Sequence, residues 1–136
     1  MTITFSNEKH INKEQLEKLY NDAEWYAYTN DLDLLQQAIN QSLYVLTAWE
    51  DAKLVALIRV VGDGLTIIYI QDILVLKEYQ NKGIATQMLQ YVLNKYDDVR
   101  QKVLLTEEAP DVRHFYEKNS FESCDKGELV AFAKLN

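Results

Sequence analysis

A polar turn with one glycine separates a long apolar stretch from an amphipathic helix pattern, and this unit constrains the fold more than any other feature. The apolar stretch covers residues 65–76, and the helix pattern begins at Ile84. A turn that starts a helix leaves backbone N–H groups unpaired, and the helix dipole adds partial positive charge there. Gly83 has no Cβ, so a ligand can approach the backbone closely. The turn therefore predicts a site for a phosphate-bearing cofactor.

The composition is typical of one globular domain, which we expect to span residues 1–136. Hydrophobic residues make up 48% of the chain and charged residues 26%, and the formal net charge is −7. This acidic balance disfavours nucleic acid and anionic membranes as partners, and it favours basic substrates such as amines. We find neither a signal-peptide pattern nor a membrane-spanning apolar stretch. Because Cys124 is the single cysteine, no internal disulfide can form, and we predict a cytoplasmic protein.

Apolar periodicity predicts the element order β, α, α, three antiparallel strands, α, β, α, β, β. Asn12 is expected to cap the first helix with Gln15 in a capping-box position, and the second helix is expected to begin at Asn30 or Asp31. The strands on either side of the helix after the glycine turn should pair in parallel. The fold class is therefore α+β, with a mixed sheet of about seven strands and about four flanking helices.

The strands of the predicted meander are nearly continuously apolar, which indicates a sheet covered on both faces. Gln71 and Asp72 interrupt the third of them, and in a flat strand one of the two would point into the interior. A β-bulge that re-aims a side chain, or a polar cleft, would resolve this conflict. After the last helix, residues 121–123 and 129–133 are predicted as the two final strands.

The order of elements and two motifs resemble the GNAT superfamily of acyl-CoA-dependent N-acetyltransferases. The family's Arg/Gln-x-x-Gly-x-Gly/Ala signature is matched by Gln80, Gly83 and Ala85, in place between a strand and a helix. The segment from Phe115 to Phe121 resembles the family's Phe-Tyr-x-x-x-Gly-Phe run. The resemblance covers nearly the whole chain, and it implies a sheet that splays at its centre.

What the resemblance implies is acetyl-CoA as the acetyl donor, with no metal. The pyrophosphate would lie on the amides of the turn, the pantetheine arm along the preceding strand, and the Val75 amide would stabilise the developing oxyanion. Tyr116 matches the tyrosine that protonates the leaving thiolate. The cofactor-binding residues implied in this way are Ile73, Leu74, Val75, Gln80, Asn81, Lys82, Gly83, Ile84, Ala85, Thr86 and Tyr116.

Three positions depart from the family pattern. Ser120 stands in place of the glycine before the final phenylalanine, which matters if that position needs a positive φ. Ala109 stands in place of a cofactor-contacting asparagine. The strand after the long helix lacks the glutamate that serves as base in some relatives, so Asp72, Glu107 or a water chain is left as the general base.

The acceptor side is predicted from an aromatic cluster and one carboxylate. Trp25, Tyr26 and Tyr28 fall in the region that borders the acceptor pocket in the family, and an aromatic wall suits a cationic or aromatic amine. The alternative is that they are core aromatics. Asp72 is a candidate for catalysis and substrate contact, and the alternative is an ion pair with Arg59 across the meander.

The leading functional hypothesis is an N-acetyltransferase that moves acetyl from acetyl-CoA to a primary amine by direct attack in a ternary complex. The acceptor is a small molecule or a protein amine, and the chain is a monomer or a homodimer. Two alternatives are a non-catalytic acyl-CoA-binding sensor of the same fold and an unrelated nucleotide-phosphate binder. His10 and His114 have no ligand spacing that predicts a metal site, and Cys124 needs no catalytic role.

Overall fold

The computed structural model describes all residues, 1–136, and the chain forms two compact units, Met1–Leu104 and Leu105–Asn136. The first unit contains a five-stranded sheet in which neighbouring strands follow the order of the sequence. The first four strands pair antiparallel, and the last two pair in parallel. The strands are β1 (Thr4–Ser6), β2 (Tyr44–Glu50), β3 (Lys53–Gly62), β4 (Ile67–Val75) and β5 (Gln101–Leu104).

The first unit also contains four α-helices, one of which connects the parallel strands. Asn12 caps the first helix by accepting a hydrogen bond from the amide of Glu14, as its side chain predicts. Gln15 does not complete a capping box, because its side chain bonds Ala52 and Leu54 of the β2–β3 region instead. The helices are α1 (Lys13–Asp22), α2 (Tyr26–Thr29), α3 (Leu32–Asn40) and α4 (Ile84–Lys95).

The core lies on both sides of the central strands. Consecutive residues are buried along β2 and along β3, so the prediction of a sheet covered on both faces holds for these two strands. In β4 buried residues alternate with less buried ones. Both α1 and α4 contact β3 and β4. The buried stripe of α4 includes Ile84, Met88 and Leu89, so its first residue already faces the core. This packing fixes the N-terminus of α4 beside the end of β4.

Two irregularities in β4 create its exposed polar edge. The register with β3 shifts between Arg59 and Val60, leaving Gln71 as the extra residue of a β-bulge, which is one of the two arrangements expected from the polar pair. On its other side, β4 pairs with β5 only from Ile67 to Ile70. Residues 71–75 therefore have no strand partner on that side, and the sheet splays there.

The second unit contains one helix, α5 (Pro110–Lys118), and a short 3₁₀ turn. Proline at the start of α5 suits a first helical turn. The helix ends in a Schellman motif, in which the amides of Ser120 and Phe121 donate to the carbonyls of Glu117 and Tyr116. Ser120 has a φ of +71°, so the serine stands at a position where glycine is unstrained.

The predicted number of strands is too high by two. Residues 121–123 and 129–133 form no strand, and the apolar side chains of Leu129, Val130 and Phe132 are largely exposed. A run of β-favouring residues becomes a strand only where a neighbouring strand accepts its backbone hydrogen bonds, and these residues have no such neighbour. The α+β class and the mixed, splayed sheet are confirmed with five strands.

Candidate active site

The turn between β4 and α4 has the geometry of an anion site. We call residues 80–86 the amide turn. Gly83 caps α4 with a φ of +82°, and Asn81 has a φ of +63°, both in the left-handed region. A Cβ added at Gly83 would meet no atom within 4 Å, so the space above this backbone is open. The backbone conformation therefore favours glycine here, and the open space can receive a ligand.

The backbone N–H groups of the amide turn are unpaired. The amides of Lys82, Gly83, Ile84, Ala85 and Thr86 donate no hydrogen bond within the chain. No side chain caps α4, and its first turn carries no acidic residue, so neither of these groups offsets the positive end of the helix dipole. Lys82 adds an exposed positive charge. An anionic ligand with several oxygens fits this donor set.

The open edge of β4 supplies further backbone donors. The Leu76 amide donates to Val55 of β3 at 2.9 Å, and orientation alternates along a strand, so the amide and carbonyl of Val75 face away from β3. Ile73 faces the same way, whereas the polar backbone groups of Leu74 face β3. Gln80 Nε2 donates to the Val75 carbonyl at 3.1 Å and so ties the amide turn to the end of β4.

Three contacts hold the backbone between β4 and the amide turn. The Lys77 amide donates to Asp22 Oδ2 of α1 at 2.7 Å. The hydroxyl of Tyr79 donates to Glu50 at the end of β2. Lys53 forms an ion pair with Glu78 and lies over the Tyr79 ring. These contacts fix the approach to the turn before any ligand binds.

A cluster of polar side chains lies at the bulge, and we call Tyr20, Tyr28, Arg59, Gln71 and Asp72 the Asp72 network. Asp72 is 2% exposed and forms an ion pair with Arg59 Nε at 2.7 Å. The Tyr20 hydroxyl donates to Oδ2 at 3.0 Å and the Tyr28 hydroxyl to Oδ1 at 2.6 Å. Gln71 Nε2 donates to the Tyr28 hydroxyl at 3.0 Å. No buried side-chain nitrogen or oxygen in the chain lacks a partner.

The network keeps its tyrosines protonated. Burial, followed by the negative charge of Asp72, raises the pKa of Tyr20 well above its ordinary value. The same two causes, in the same order, raise the pKa of the half-buried Tyr28. Both carboxylate oxygens of Asp72 already accept hydrogen bonds from groups that hold their protons. This arrangement favours an anchoring role for Asp72 over the roles in catalysis and substrate contact that its position suggested.

The aromatic residues expected on the acceptor side divide into two groups. Trp25 and Tyr28 pack against the Tyr20 ring, with ring centres 6.1 and 5.0 Å from it, so they belong to the packed aromatic cluster. Tyr26 is 52% exposed and lies at the start of α2. Of the network, sequence reasoning identified Asp72, Tyr28 and the Arg59 partner, but it missed Tyr20 and the role of Gln71. The polar pair in an apolar strand was the one available signal for Gln71.

Tyr116 lies on α5 in the second unit, and its side chain is 8% exposed. Its ring contacts those of Phe115 and Phe121, with centres 5.0 and 5.8 Å apart. Burial raises the pKa of Tyr116 to about 12, so its hydroxyl stays protonated at neutral pH. Ala109 precedes α5 and supplies no side-chain cap.

Three further observations concern metal ligands, membrane-spanning helices and the cysteine. The chain has no group of three or more side chains that could hold a metal ion. None of its helices combines the length and the apolar character needed to cross a bilayer. The one cysteine, Cys124, is exposed and unpaired.

Comparison with known proteins identifies the family of this chain. Residues 4–132 match the model of the acetyltransferase (GNAT) domain family. An uncharacterised, ycf52-like N-acetyltransferase from Prochlorococcus marinus is 25% identical, over 99% of this chain and 76% of that protein.

Two solved structures have a similar fold. A GNAT-family acetyltransferase from Streptococcus pneumoniae superposes with a TM-score of 0.87 and 29% identity, covering 99% of this chain and 98% of that one. The PaiA N-acetyltransferase from Thermoplasma acidophilum, solved in complex with coenzyme A, superposes with a TM-score of 0.69 and 16% identity. That likeness covers 88% of this chain and 89% of the other, and it concerns the fold alone.

Proposed function

The chain belongs to the GNAT acetyltransferase family, and on that premise we propose that it transfers acetyl from acetyl-CoA to a primary amine in a ternary complex. One observation carries the proposal: five unpaired amides at the start of α4 adjoin the open backbone edge of β4. The chain leaves these donors without acceptors, while every buried side-chain polar atom is satisfied. A ligand with a pyrophosphate at one end and amide groups along an extended arm matches both sets of donors.

Each part of the site has one role in this proposal. The amides of the amide turn hold the pyrophosphate, and Lys82 adds positive charge beside it. Apart from the one N–H that stabilises the oxyanion, the outward backbone groups of Ile73 and Val75 pair with the amide groups of the pantetheine arm. The thioester supplies an activated acetyl group when acetyl-CoA is bound. The Val75 N–H, or that of Ile73 on the same edge, stabilises the negative charge that develops on the carbonyl oxygen of the thioester.

Proton transfer is divided between two groups. Tyr116 is the predicted donor of a proton to the leaving thiolate, and its raised pKa keeps that proton in place at neutral pH. Because both oxygens of Asp72 are engaged, we assign removal of the amine proton to water or to the exposed Glu107. The acceptor is a small-molecule or protein amine rather than a nucleic acid or a membrane surface, in keeping with the net charge of −7.

The test is CoA release measured with acetyl-CoA and a panel containing spermidine, phenethylamine, kanamycin and a peptide with a free N-terminus. We expect at least one amine to give turnover that saturates in both substrates. Tyr116→Phe should lower kcat by about 100-fold and leave acetyl-CoA affinity nearly unchanged. An unaltered kcat would show that Tyr116 only packs.

The second candidate is an acyl-CoA sensor without turnover. It is favoured by the full engagement of Asp72, the one carboxylate on the bulged segment of β4. Acetyl-CoA binding in calorimetry, together with no CoA release for any amine, would establish the sensor and reject the transferase. Tighter binding of ATP than of CoA would reject both.

A further inference from the structure

The β-bulge brings two neighbouring side chains of β4 to the same hydroxyl group. Successive residues of a regular strand point to opposite faces. Gln71 and Asp72 nevertheless both reach Tyr28 Oη, at 3.0 and 2.6 Å. Asp72 is buried, whereas Gln71 is exposed on the open part of β4. The bulge therefore turns the carboxamide of Gln71 onto the Tyr28 side of the strand.

The chemistry of the Asp72 network fixes which end of that carboxamide faces outward. An ionised carboxylate only accepts hydrogen bonds, so the Tyr28 hydroxyl must be the donor in its hydrogen bond with Asp72. The Tyr28 oxygen is then left as an acceptor, and Gln71 must approach it with its NH₂ group. Exchange of the two ends would place two acceptors against each other. The Oε1 oxygen of Gln71 accordingly points away from Tyr28, and no group of the chain donates to it.

A series of hydrogen bonds behind Gln71 holds the orientation of its carboxamide. Arg59 donates to Asp72 Oδ2, and Nη2 of Arg59 lies 3.5 Å from the Tyr28 oxygen. Tyr20 donates to the same carboxylate from α1. Gln71 is thus an exposed side chain whose amide orientation is set by groups behind it. Preorganised polar groups of this kind are typical of substrate sites.

We propose that Gln71 Oε1 is a fixed hydrogen-bond acceptor for an N–H of the acceptor amine, which makes Gln71 a specificity-determining residue. The inference rests on the proposed acetyl transfer. Gln71 lies two residues from Ile73, roughly 7 Å along the strand, so a bound amine would lie near the open backbone edge. A neutral carboxamide oxygen holds an N–H without stabilising the ammonium form as strongly as a carboxylate would. The lone pair of the amine stays available for attack.

The central variant is Gln71→Met, which keeps the length of the side chain and removes both ends of the carboxamide. For the best amine of the panel, we expect KM to rise about three- to tenfold, as for the loss of one hydrogen bond. The affinity for acetyl-CoA and the thermal unfolding midpoint should not change. The matched control is Gln101→Met on β5, the same replacement at an exposed strand residue, which should leave the amine KM unaltered.

A second variant tests the chain of contacts behind Gln71. Tyr28→Phe keeps the ring and removes only the hydroxyl, so the carboxamide can rotate, and the amine KM should rise with little change in acetyl-CoA affinity. An amine KM in Gln71→Met equal to that of the wild type would overturn the inference while the transferase function stands. If the wild type turns over no amine of the panel, the proposed function is wrong, and the role of Gln71 in binding the amine is rejected as well.

Discussion

Two polar regions follow each other along β4 and its continuation, and they differ in how their hydrogen bonds are completed. In the Asp72 network, carboxylate, guanidinium and hydroxyl groups satisfy one another inside the protein. In the amide turn, five backbone donors have no acceptor within the chain. The polar groups of the first region are satisfied by the chain itself, whereas the donors of the second are free to bind an anion. An unpaired donor set is therefore a stronger indication of ligand binding here than a buried charge.

The largest effect that tests this difference is expected in the Asp72 network. Asp72→Ala leaves Arg59 buried without its partner, which should lower the free energy of unfolding by about 3–5 kcal/mol. Urea denaturation, monitored by circular dichroism, measures this loss in the free energy of unfolding. The double variant Arg59→Met/Asp72→Leu removes both charges and should recover much of the loss. A single variant as stable as the wild type would mean that the ion pair does not hold the fold.

The amide turn should respond in the opposite way, with function lost and stability kept. Gly83→Glu places a carboxylate where the pyrophosphate is expected, and acetyl-CoA affinity should fall by at least about 100-fold. Gly83→Ala introduces the same backbone strain without the charge and should weaken binding far less. Gly127→Glu, at another glycine whose Cβ would meet open space, is the control for added charge. Calorimetric titration with acetyl-CoA compares the three variants. Equal affinities would show that the amide turn is not the anion site.

Alkaline pH should lower the stability of the folded protein through Tyr20 of the Asp72 network. Because the pKa of Tyr20 is raised in the folded protein, that state binds more protons than the unfolded chain above the ordinary tyrosine pKa of 10.0. Stability is fully present below this pH and falls as pH rises toward the folded pKa, by at most about 1.4 kcal/mol per pH unit for Tyr20. Tyr20→Phe should flatten the decline. A decline equally steep in the variant would assign it to other groups.

The smallest effect is expected at the link between the two regions. Gln80→Met removes the hydrogen bond from Nε2 to the Val75 carbonyl and should weaken acetyl-CoA binding by about three- to tenfold. Gln87→Met, at an exposed position on α4, is the matched control. If both variants bind acetyl-CoA like the wild type, the turn keeps its geometry without Gln80.

Local features of the site were predictable from the sequence because their causes are local. The cap at Asn12 follows from residue type and immediate neighbours, and the bulge at Gln71 was one of two arrangements that the polar pair allowed. The glycine of the turn was singled out for its missing Cβ, and the space above it is open. The pairing of Arg59 with Asp72 was one of two alternatives, and the antiparallel register decides for it.

Contacts between distant segments were not predictable. Tyr20 and Tyr28 lie 52 and 44 residues from Asp72, and their convergence depends on how α1 and α2 pack on β4. The apolar run at residues 129–133 resembles a strand in composition, but strand formation depends on a partner that composition does not reveal. The family pattern has glycine where this chain has Ser120, but the sequence could not show whether the position needs a positive φ. The Schellman motif at the end of α5 shows that it does.

The central claim is that the unpaired amides of the amide turn hold the phosphates of acetyl-CoA. Amide hydrogen exchange, resolved by residue with NMR and compared with and without saturating acetyl-CoA, tests it most directly. We predict strong protection of residues 82–86 on binding, little change in Asp72 and Arg59, and loss of that protection in Gly83→Glu. Unchanged exchange at residues 82–86 in the saturated complex would contradict the account.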